Sequence, residues 1–94
     1  MTDRILKIGI DRGLHVRPAL ALAETAGRFQ CEVDVIHRML RLNGKSMFAL
    51  MVAGVQQGEE IRVICRGTDE REAMAAIEAL ITSGFKEVLT NERI

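Results

Sequence analysis

The residues best suited to chemistry are His15 and Arg17, which lie in the segment 13–19, GLHVRPA. From Val16 onward, apolar residues recur at spacings of three and four, a pattern typical of a helix, and Pro18 fits its first turn. The start of a helix offers unpaired N–H groups and a partial positive charge, which together bind anions. A phosphoryl group on the His15 ring would meet these donors and the Arg17 guanidinium. The pattern therefore indicates reversible phosphorylation of His15; the alternative is a surface histidine beside a helix cap.

Seven elements in the order βαββαβα must position this segment. The strands are predicted from β-branched and alternating residues, and the helices from their three- and four-residue spacing. The predicted strands are 4–10, 31–37, 39–42 and 60–66, and the predicted helices are 16–29, 47–53 and one running from a capping box at Asp69 and Glu72 to Gly84. This order predicts an α+β sandwich with three helices on one face of an antiparallel sheet.

The short second helix brings further candidates close to His15. Ser46 is suited to cap its N-terminus. On the first helix, Val16 and Leu20 lie beside the core stripe rather than at its centre. We expect them to form an apolar patch with three side chains of the second helix, unless those three are core residues: Met47, Phe48 and Met51.

Composition excludes several classes of protein. The 94 residues make one domain, and thirteen basic residues balance thirteen acidic ones, which argues against nucleic-acid binding through many phosphate contacts. Residues 1–45 carry a net charge of +3 and residues 46–94 a net charge of −3, so any electrostatic steering would favour the first half. No apolar run is long enough to span a membrane, and a start without a signal sequence indicates a cytoplasmic protein.

The remaining histidine and the two cysteines give no metal site. Cys31 and Cys65 match no ligand or redox spacing, and we expect both to be buried as apolar residues. His37 is expected in solvent at the end of a strand, without a role. Lys45 and Ser46 mimic the end of a Walker A loop, but Met39 stands where its first glycine belongs. We therefore expect no metal and no cofactor.

Four segments in order resemble the HPr family, the histidine-containing phosphocarriers of the phosphoenolpyruvate-dependent sugar phosphotransferase system. Segment 13–19 resembles the family's active-site signature, and segment 45–51, KSMFALM, resembles its regulatory-serine helix. Segments 57–63 and 67–73 resemble its last strand and its third helix. The resemblance spans residues 4–84 without gaps and implies an open-faced βαββαβα sandwich.

The resemblance also implies partners and roles. Enzyme I would transfer phosphate from phosphoenolpyruvate to Nδ1 of His15, and His15 would pass it to the enzyme IIA domains of sugar permeases. Arg17 matches the arginine that assists the phosphate, and Ser46 matches the serine that a kinase/phosphorylase modifies in many lineages. Val16, Leu20 and the three side chains of the second helix match positions that contact Enzyme I and IIA domains. The chain would be a monomeric, stoichiometric carrier rather than an enzyme.

Two alternatives stay open at this point. Segment 79–85 resembles the end of the nitrogen-branch carrier, whose partners serve regulation instead of sugar uptake. A small-molecule-binding regulatory module of the same size is the other alternative, although it gives no reason for the segment around His15. We expect one domain over residues 1–94, with a loosely ordered tail from 85 to 94 beyond the usual end of the family.

Overall fold

The computed structural model describes residues 1–86, and the predicted order of elements is confirmed. These residues fold into four strands and three helices. In chain order they are β1 (Thr2–Lys7), α1 (Val16–Gly27), β2 (Glu32–His37), β3 (Leu40–Asn43), α2 (Met47–Val52), β4 (Glu60–Arg66) and α3 (Glu70–Thr82).

The strands form one antiparallel sheet in the order β1-β4-β2-β3. The side chains that alternate along one face are buried beneath the helices, and they form the core with the apolar stripes of α1 and α3. On β4 the inward residues are Ile61, Val63 and Cys65, as the alternation predicts. The α+β fold class, a four-stranded antiparallel sheet with three helices, is therefore confirmed.

The opposite face of the sheet carries a network of ion pairs. Arg62 of β4 pairs with Asp3 of β1. Arg66 of β4 and Arg41 of β3 both contact Asp34 of β2, at 2.9 and 2.8 Å. β4 belongs to the second half of the sequence, which has a net negative charge, and it lies between β1 and β2, which belong to the first half. The arginines of β4 therefore pair with acidic residues of the first half. On this face of the sheet, charges from the two halves of the sequence are therefore paired.

The first strand differs most from its predicted bounds. The sequence pattern predicts it over residues 4–10, but β1 covers Thr2–Lys7. Beyond Lys7, Ile8 keeps partners by donating its N–H to the Glu59 carbonyl and accepting the Gly58 N–H, at 2.9 and 2.7 Å. These two residues belong to the loop before β4, so the pairing continues while the strand itself has ended. The other strands and the first two helices differ from their predicted bounds by no more than two residues.

The predicted capping box of α3 is wrong. Asp69 is the N-cap, but its side chain makes no capping bond, because both carboxylate oxygens accept N–H groups at the start of β2. The donors are Gln30 and Cys31, at 2.7 and 2.9 Å, and they hold the pKa of Asp69 below its ordinary value. Glu70 instead accepts the Gly67 N–H, at 3.1 Å. The carboxylate of Asp69 therefore joins α3 to β2 rather than to its own first turn.

The end of α3 corrects the predicted start of the tail. Gly84 donates to the Ile81 carbonyl and Phe85 to the Leu80 carbonyl, both at 3.0 Å, which is the Schellman arrangement. The Phe85 side chain is fully buried in the core. Phe85 is therefore part of the folded domain. Residues 87–94 of the predicted tail lie outside the described residues.

Candidate functional site

His15 occupies the N-cap position of α1, as the position of the helix start predicts. Its backbone is extended, with φ −77° and ψ −168°, and its carbonyl accepts the Ala19 N–H at 3.0 Å, the first bond of the helix. Its side chain makes no capping hydrogen bond and is half-buried. An imidazole that is not used to cap the helix, yet stands at its positive end, is placed for chemistry on an anion.

The loop before His15 packs against the loop that follows α2. Leu14 is buried and donates its N–H to the Val55 carbonyl at 3.0 Å, and Gly13 donates to the Ile10 carbonyl at 3.0 Å. Gly13 has φ +64°, and a β carbon on it would lie only 2.1 Å from the Val55 oxygen. Only glycine allows this close approach. The backbone just before His15 is thus held by contacts with a distant part of the chain.

Arg17 lies in the first turn of α1, two residues after His15, and is exposed to solvent. Pro18 follows it, is buried and has no N–H, while Ala19 is fully buried. The first amides of a helix that begins at Val16 have no carbonyl acceptors within that helix. The first turn therefore combines backbone donors with a guanidinium group.

The exposed apolar side chains of α1 and α2 form a surface that we call the helix-pair patch. It consists of Val16, Leu20, Phe48 and Val52, whose exposed fractions are 53%, 40%, 69% and 63%. The two helices that carry it pack against each other. Val52 lies outside the predicted patch, although it follows Phe48 by four residues, the spacing that places both on one helix face.

The two methionines of the predicted patch are placed differently. Met47 and Met51 are half-buried and pack against the core. They contribute less to the surface than the sequence pattern suggests, because α2 has six residues and one of its faces rests on the core around fully buried Leu50. The alternative that these methionines are core residues therefore holds in part for both, whereas it does not hold for exposed Phe48.

Ser46 is the N-cap of α2, as predicted. Its Oγ accepts the Ala49 N–H at 3.2 Å, and its carbonyl accepts the Leu50 N–H at 3.1 Å. The neighbouring Lys45 donates from Nζ to the Phe29 carbonyl at 2.7 Å, which links the start of α2 to the end of α1. The Ser46 side chain is half-buried and precedes exposed Phe48 by two residues.

His37 is buried, so its predicted place in solvent is wrong. Only 3% of its surface is exposed, and its Nε2 lies 2.9 Å from Oε1 of Glu59. The inward side of β2 continues to its last residue, which is why this strand-end histidine points toward the core. No spacing rule in the sequence pairs His37 with Glu59, because they come together only when β2 and β4 join one sheet.

The cysteines are buried, as predicted. Cys31 and Cys65 are 2% and 0% exposed, and neither forms a disulfide. Burial raises the pKa of both thiols, and with Cys31 nearby it raises the pKa of Cys65 to about 12. At neutral pH both are therefore protonated and unreactive.

Other kinds of site find little support in residues 1–86. Within that range, no group of three histidine, cysteine or acidic side chains is placed to hold a metal ion. No helix of the same range is long and apolar enough to cross a membrane. Surface clefts lie around Asp34, Arg4 and Thr25, and neither His15 nor Arg17 lines these three.

Comparison with known proteins is consistent with this geometry. The family model described as "PTS HPr component phosphorylation site" matches residues 2–83. The phosphocarrier protein HPr of Treponema pallidum is 33% identical over 75 residues, which cover 80% of this chain and 85% of the relative.

Two solved structures of HPr from Thermoanaerobacter tengcongensis are similar to this chain at 35% identity. The crystal structure of HPr-C-His has a TM-score of 0.88 and covers 92% of this chain and 97% of its own. The crystal structure described as an HPr dimer has a TM-score of 0.72, with coverages of 90% and 98%. These matches favour a phosphocarrier over a small-molecule-binding module. With a family model that spans nearly the whole described fold, the chain belongs to the HPr family of phosphocarrier proteins of the phosphotransferase system.

Proposed function

We propose that His15 accepts a phosphoryl group from phosphorylated Enzyme I and passes it to enzyme IIA domains. The observation that carries this proposal is the imidazole at the N-cap of α1, which makes no capping bond and has a guanidinium two residues away. The Nδ1 lone pair attacks phosphorus, the bond between phosphorus and the donor breaks, and the same exchange in reverse releases the group to the acceptor. One chain carries one phosphoryl group and does not turn over alone.

The first turn of α1 supports the phosphorylated form. The dianionic phosphoryl group on His15 gains from the positive end of a twelve-residue helix. Arg17 is exposed, and its fork of N–H donors suits phosphate oxygens. Because Val16 and Arg17 are exposed, we expect the group to stay accessible to a partner.

The central test combines phosphoenolpyruvate with Enzyme I and measures the mass of the chain. We expect a gain of one phosphoryl group that acid removes and that His15→Ala abolishes. Arg17→Ala should retain the acceptor but slow the transfer by about tenfold or more, the size expected for a hydrogen bond to a charged group. Label that survives in His15→Ala would refute the assignment of the acceptor.

The choice of Enzyme I in the same assay separates the two branches. A sugar-branch and a nitrogen-branch Enzyme I are offered in parallel, and we expect faster transfer from the sugar-branch donor. Faster transfer from the nitrogen-branch donor would instead assign the chain to regulation.

We assign docking of these partners to the helix-pair patch beside His15. Its four exposed apolar side chains lie on the two helices nearest to the site, and exposed apolar clusters commonly mark interaction sites. Phe48→Asp should raise the Enzyme I concentration needed for half-maximal transfer. Ile5→Asp is the matched control, because Ile5 is 64% exposed and lies on the opposite face of the sheet. Equal effects of both substitutions would reject the patch.

Ser46 is proposed as a second, regulatory phosphorylation site for an HPr kinase/phosphorylase. A phosphate there would remain at the start of α2, where negative charge is favourable, and would add that charge two residues before Phe48 on the same helix. Ser46→Asp should therefore weaken docking of partners, whereas Ser46→Ala should not. Normal transfer to Ser46→Asp would contradict this role.

The carrier is proposed to act in the cytoplasm as a monomer. A structure described as an HPr dimer exists for the relative from Thermoanaerobacter tengcongensis, so the oligomeric state is a direct test. Light scattering across a range of concentrations should give the mass of a single chain, 10.5 kDa. A stable mass of twice that value would exclude the monomer.

A further inference from the structure

The carboxylate of Glu59 joins two distant parts of the chain. Its Oε1 accepts the Gln56 N–H at 2.8 Å and lies 2.9 Å from Nε2 of His37. Its Oε2 accepts two N–H groups of Arg38, from Nε at 3.1 Å and from Nη2 at 2.7 Å. Gln56 belongs to the loop between α2 and β4, whereas His37 and Arg38 belong to the hairpin between β2 and β3. One side chain therefore ties this loop to the hairpin.

The segment that carries His15 packs against the same loop. The Val55 carbonyl accepts the Leu14 N–H at 3.0 Å, and Leu14 directly precedes His15. A β carbon on Gly13 would lie 2.1 Å from the Val55 oxygen and 2.9 Å from Cα of Gln56. A displacement of Val55 or Gln56 would thus move the backbone at His15. The contacts run from Glu59 through Gln56 and Val55 to the start of α1.

The residues around Glu59 indicate that its contacts with His37 and Arg38 are a specific feature of the fold. Arg38 takes φ +59° at the tip of the hairpin, a conformation that glycine and asparagine adopt more readily. Arg38 supplies two of the four nitrogen atoms that contact the Glu59 carboxylate. The residue with the disfavoured backbone conformation is therefore also the one that makes two hydrogen bonds to Glu59. Buried His37 supplies a third donor position from the core side. The Gln56 N–H, then Arg38 and His37, hold the pKa of Glu59 at about 2, so this carboxylate is ionised at neutral pH.

We propose that Glu59, held by His37 and Arg38, is a positioning residue for phosphoryl transfer at His15. Glu59 acts through the loop at Val55 and fixes the geometry in which His15 and the first turn of α1 meet the phosphoryl group. This inference rests on the proposed function, because it takes His15 as the acceptor.

The first measurement is amide hydrogen exchange in Glu59→Gln, which removes the charge and keeps the size. Exchange at the Leu14 amide should rise about tenfold or more, the loss expected for hydrogen bonds to a charged group. Exchange in the middle of β4 should stay within about twofold, since local opening need not involve the core. Glu32→Gln is the matched control, because Glu32 contacts Arg66 at 3.3 Å and lies at the opposite end of β2 from His37. It should leave the Leu14 amide unchanged.

The second measurement is the transfer from phosphorylated Enzyme I to the same variants. Glu59→Gln should lower the rate at saturating donor about tenfold, because misplacement of a reacting group is costly. The donor concentration for half-maximal rate should stay within about twofold, since the helix-pair patch is untouched. Arg38→Asn removes the guanidinium while tolerating the positive φ. Arg38→Asn should show smaller changes in the same direction as Glu59→Gln. It replaces Glu59→Gln as the test variant if Glu59→Gln does not fold.

Each outcome decides the question. Faster exchange at Leu14 together with a lower saturating rate supports the proposal. A saturating rate equal to that of Glu32→Gln overturns it, and so does exchange that rises equally at Leu14 and throughout β4, which would make Glu59 a residue for stability alone. If the unaltered chain accepts no phosphoryl group at all, the proposed function fails instead, and the absence of labelling identifies that failure.

Discussion

Gly13→Ala tests how rigidly the segment before His15 is seated on the loop at Val55. The added β carbon would lie 2.1 Å from the Val55 oxygen, 2.9 Å from Cα of Gln56 and 3.0 Å from its carbonyl carbon. All three are backbone atoms that no rotamer change can move away. The segment must therefore shift by roughly 1 Å to restore an ordinary contact distance.

The expected loss has two parts. Alanine at φ +64° costs about 1 kcal/mol through its backbone conformation alone. The shift also breaks the 3.0 Å bond between Leu14 and Val55 and loosens the packing of buried Leu14. With about 1 kcal/mol for the bond and a similar amount for the packing, the free energy of unfolding should fall by about 3 kcal/mol.

Two other glycines separate these contributions. Gly54 has φ +69°, but its β carbon would meet no atom closer than 3.9 Å, so Gly54→Ala measures the conformational cost alone, about 1 kcal/mol. Gly9 has nothing within 4 Å, so Gly9→Ala should change the stability by less than about 0.5 kcal/mol.

The assay is urea unfolding followed by far-ultraviolet circular dichroism, because the chain has no tryptophan or tyrosine. A loss in Gly13→Ala no greater than that in Gly54→Ala would refute the close seating of the His15 segment.

Four further predictions concern stability and reactivity. Phe85→Ala should cost about 3–4 kcal/mol in urea unfolding, whereas Phe48→Ala should cost less than about 1 kcal/mol, because the first side chain is fully buried and the second is 69% exposed; similar losses would contradict the burial of Phe85. Ser46→Ala should cost about 1 kcal/mol and Ser46→Asn should recover most of it, since asparagine also caps helices. The N-terminal ammonium, the Gly67 N–H and the Thr2 hydroxyl hold the pKa of Glu70 at about 2, below its unfolded value, so its contribution is present above about pH 5 and is lost as the pH falls toward 2. Urea midpoints of Glu70→Gln should accordingly depend less on pH across that window. Cys65, with its pKa of about 12, should resist thiol reagents at pH 8 until denaturant is added; rapid labelling of the folded chain would disagree with its burial.

The sequence predicted the features that depend on neighbouring residues. The helix start after His15, the Ser46 cap and the inward face of β4 all follow from spacings of two to four residues, and the structure confirms them. Periodicity works here because each of these elements presents one face to a single core.

Features that depend on partners distant in sequence are not encoded in local patterns. The sequence around Asp69 predicts a local cap, but both of its carboxylate oxygens accept N–H groups of Gln30 and Cys31, nearly forty residues away. His37 was expected in solvent because nothing in the sequence marks Glu59 as its partner. In both cases a polar side chain forms hydrogen bonds with residues distant in sequence, and local propensity carries no information about which residues those are.

The place of β4 in the sheet also determines when the carrier site is complete during synthesis. β1 and β2 never pair with each other, since each pairs with β4, and Thr2 lies opposite Cys65. A nascent chain that ends before β4 holds His15 and α1 but cannot close the sheet beneath them. Such long-range pairing slows folding compared with local contacts. The sheet therefore closes only after the chain has emerged from the ribosome as far as Arg66, and fragments cut before β4 should carry the histidine without the fold that presents it.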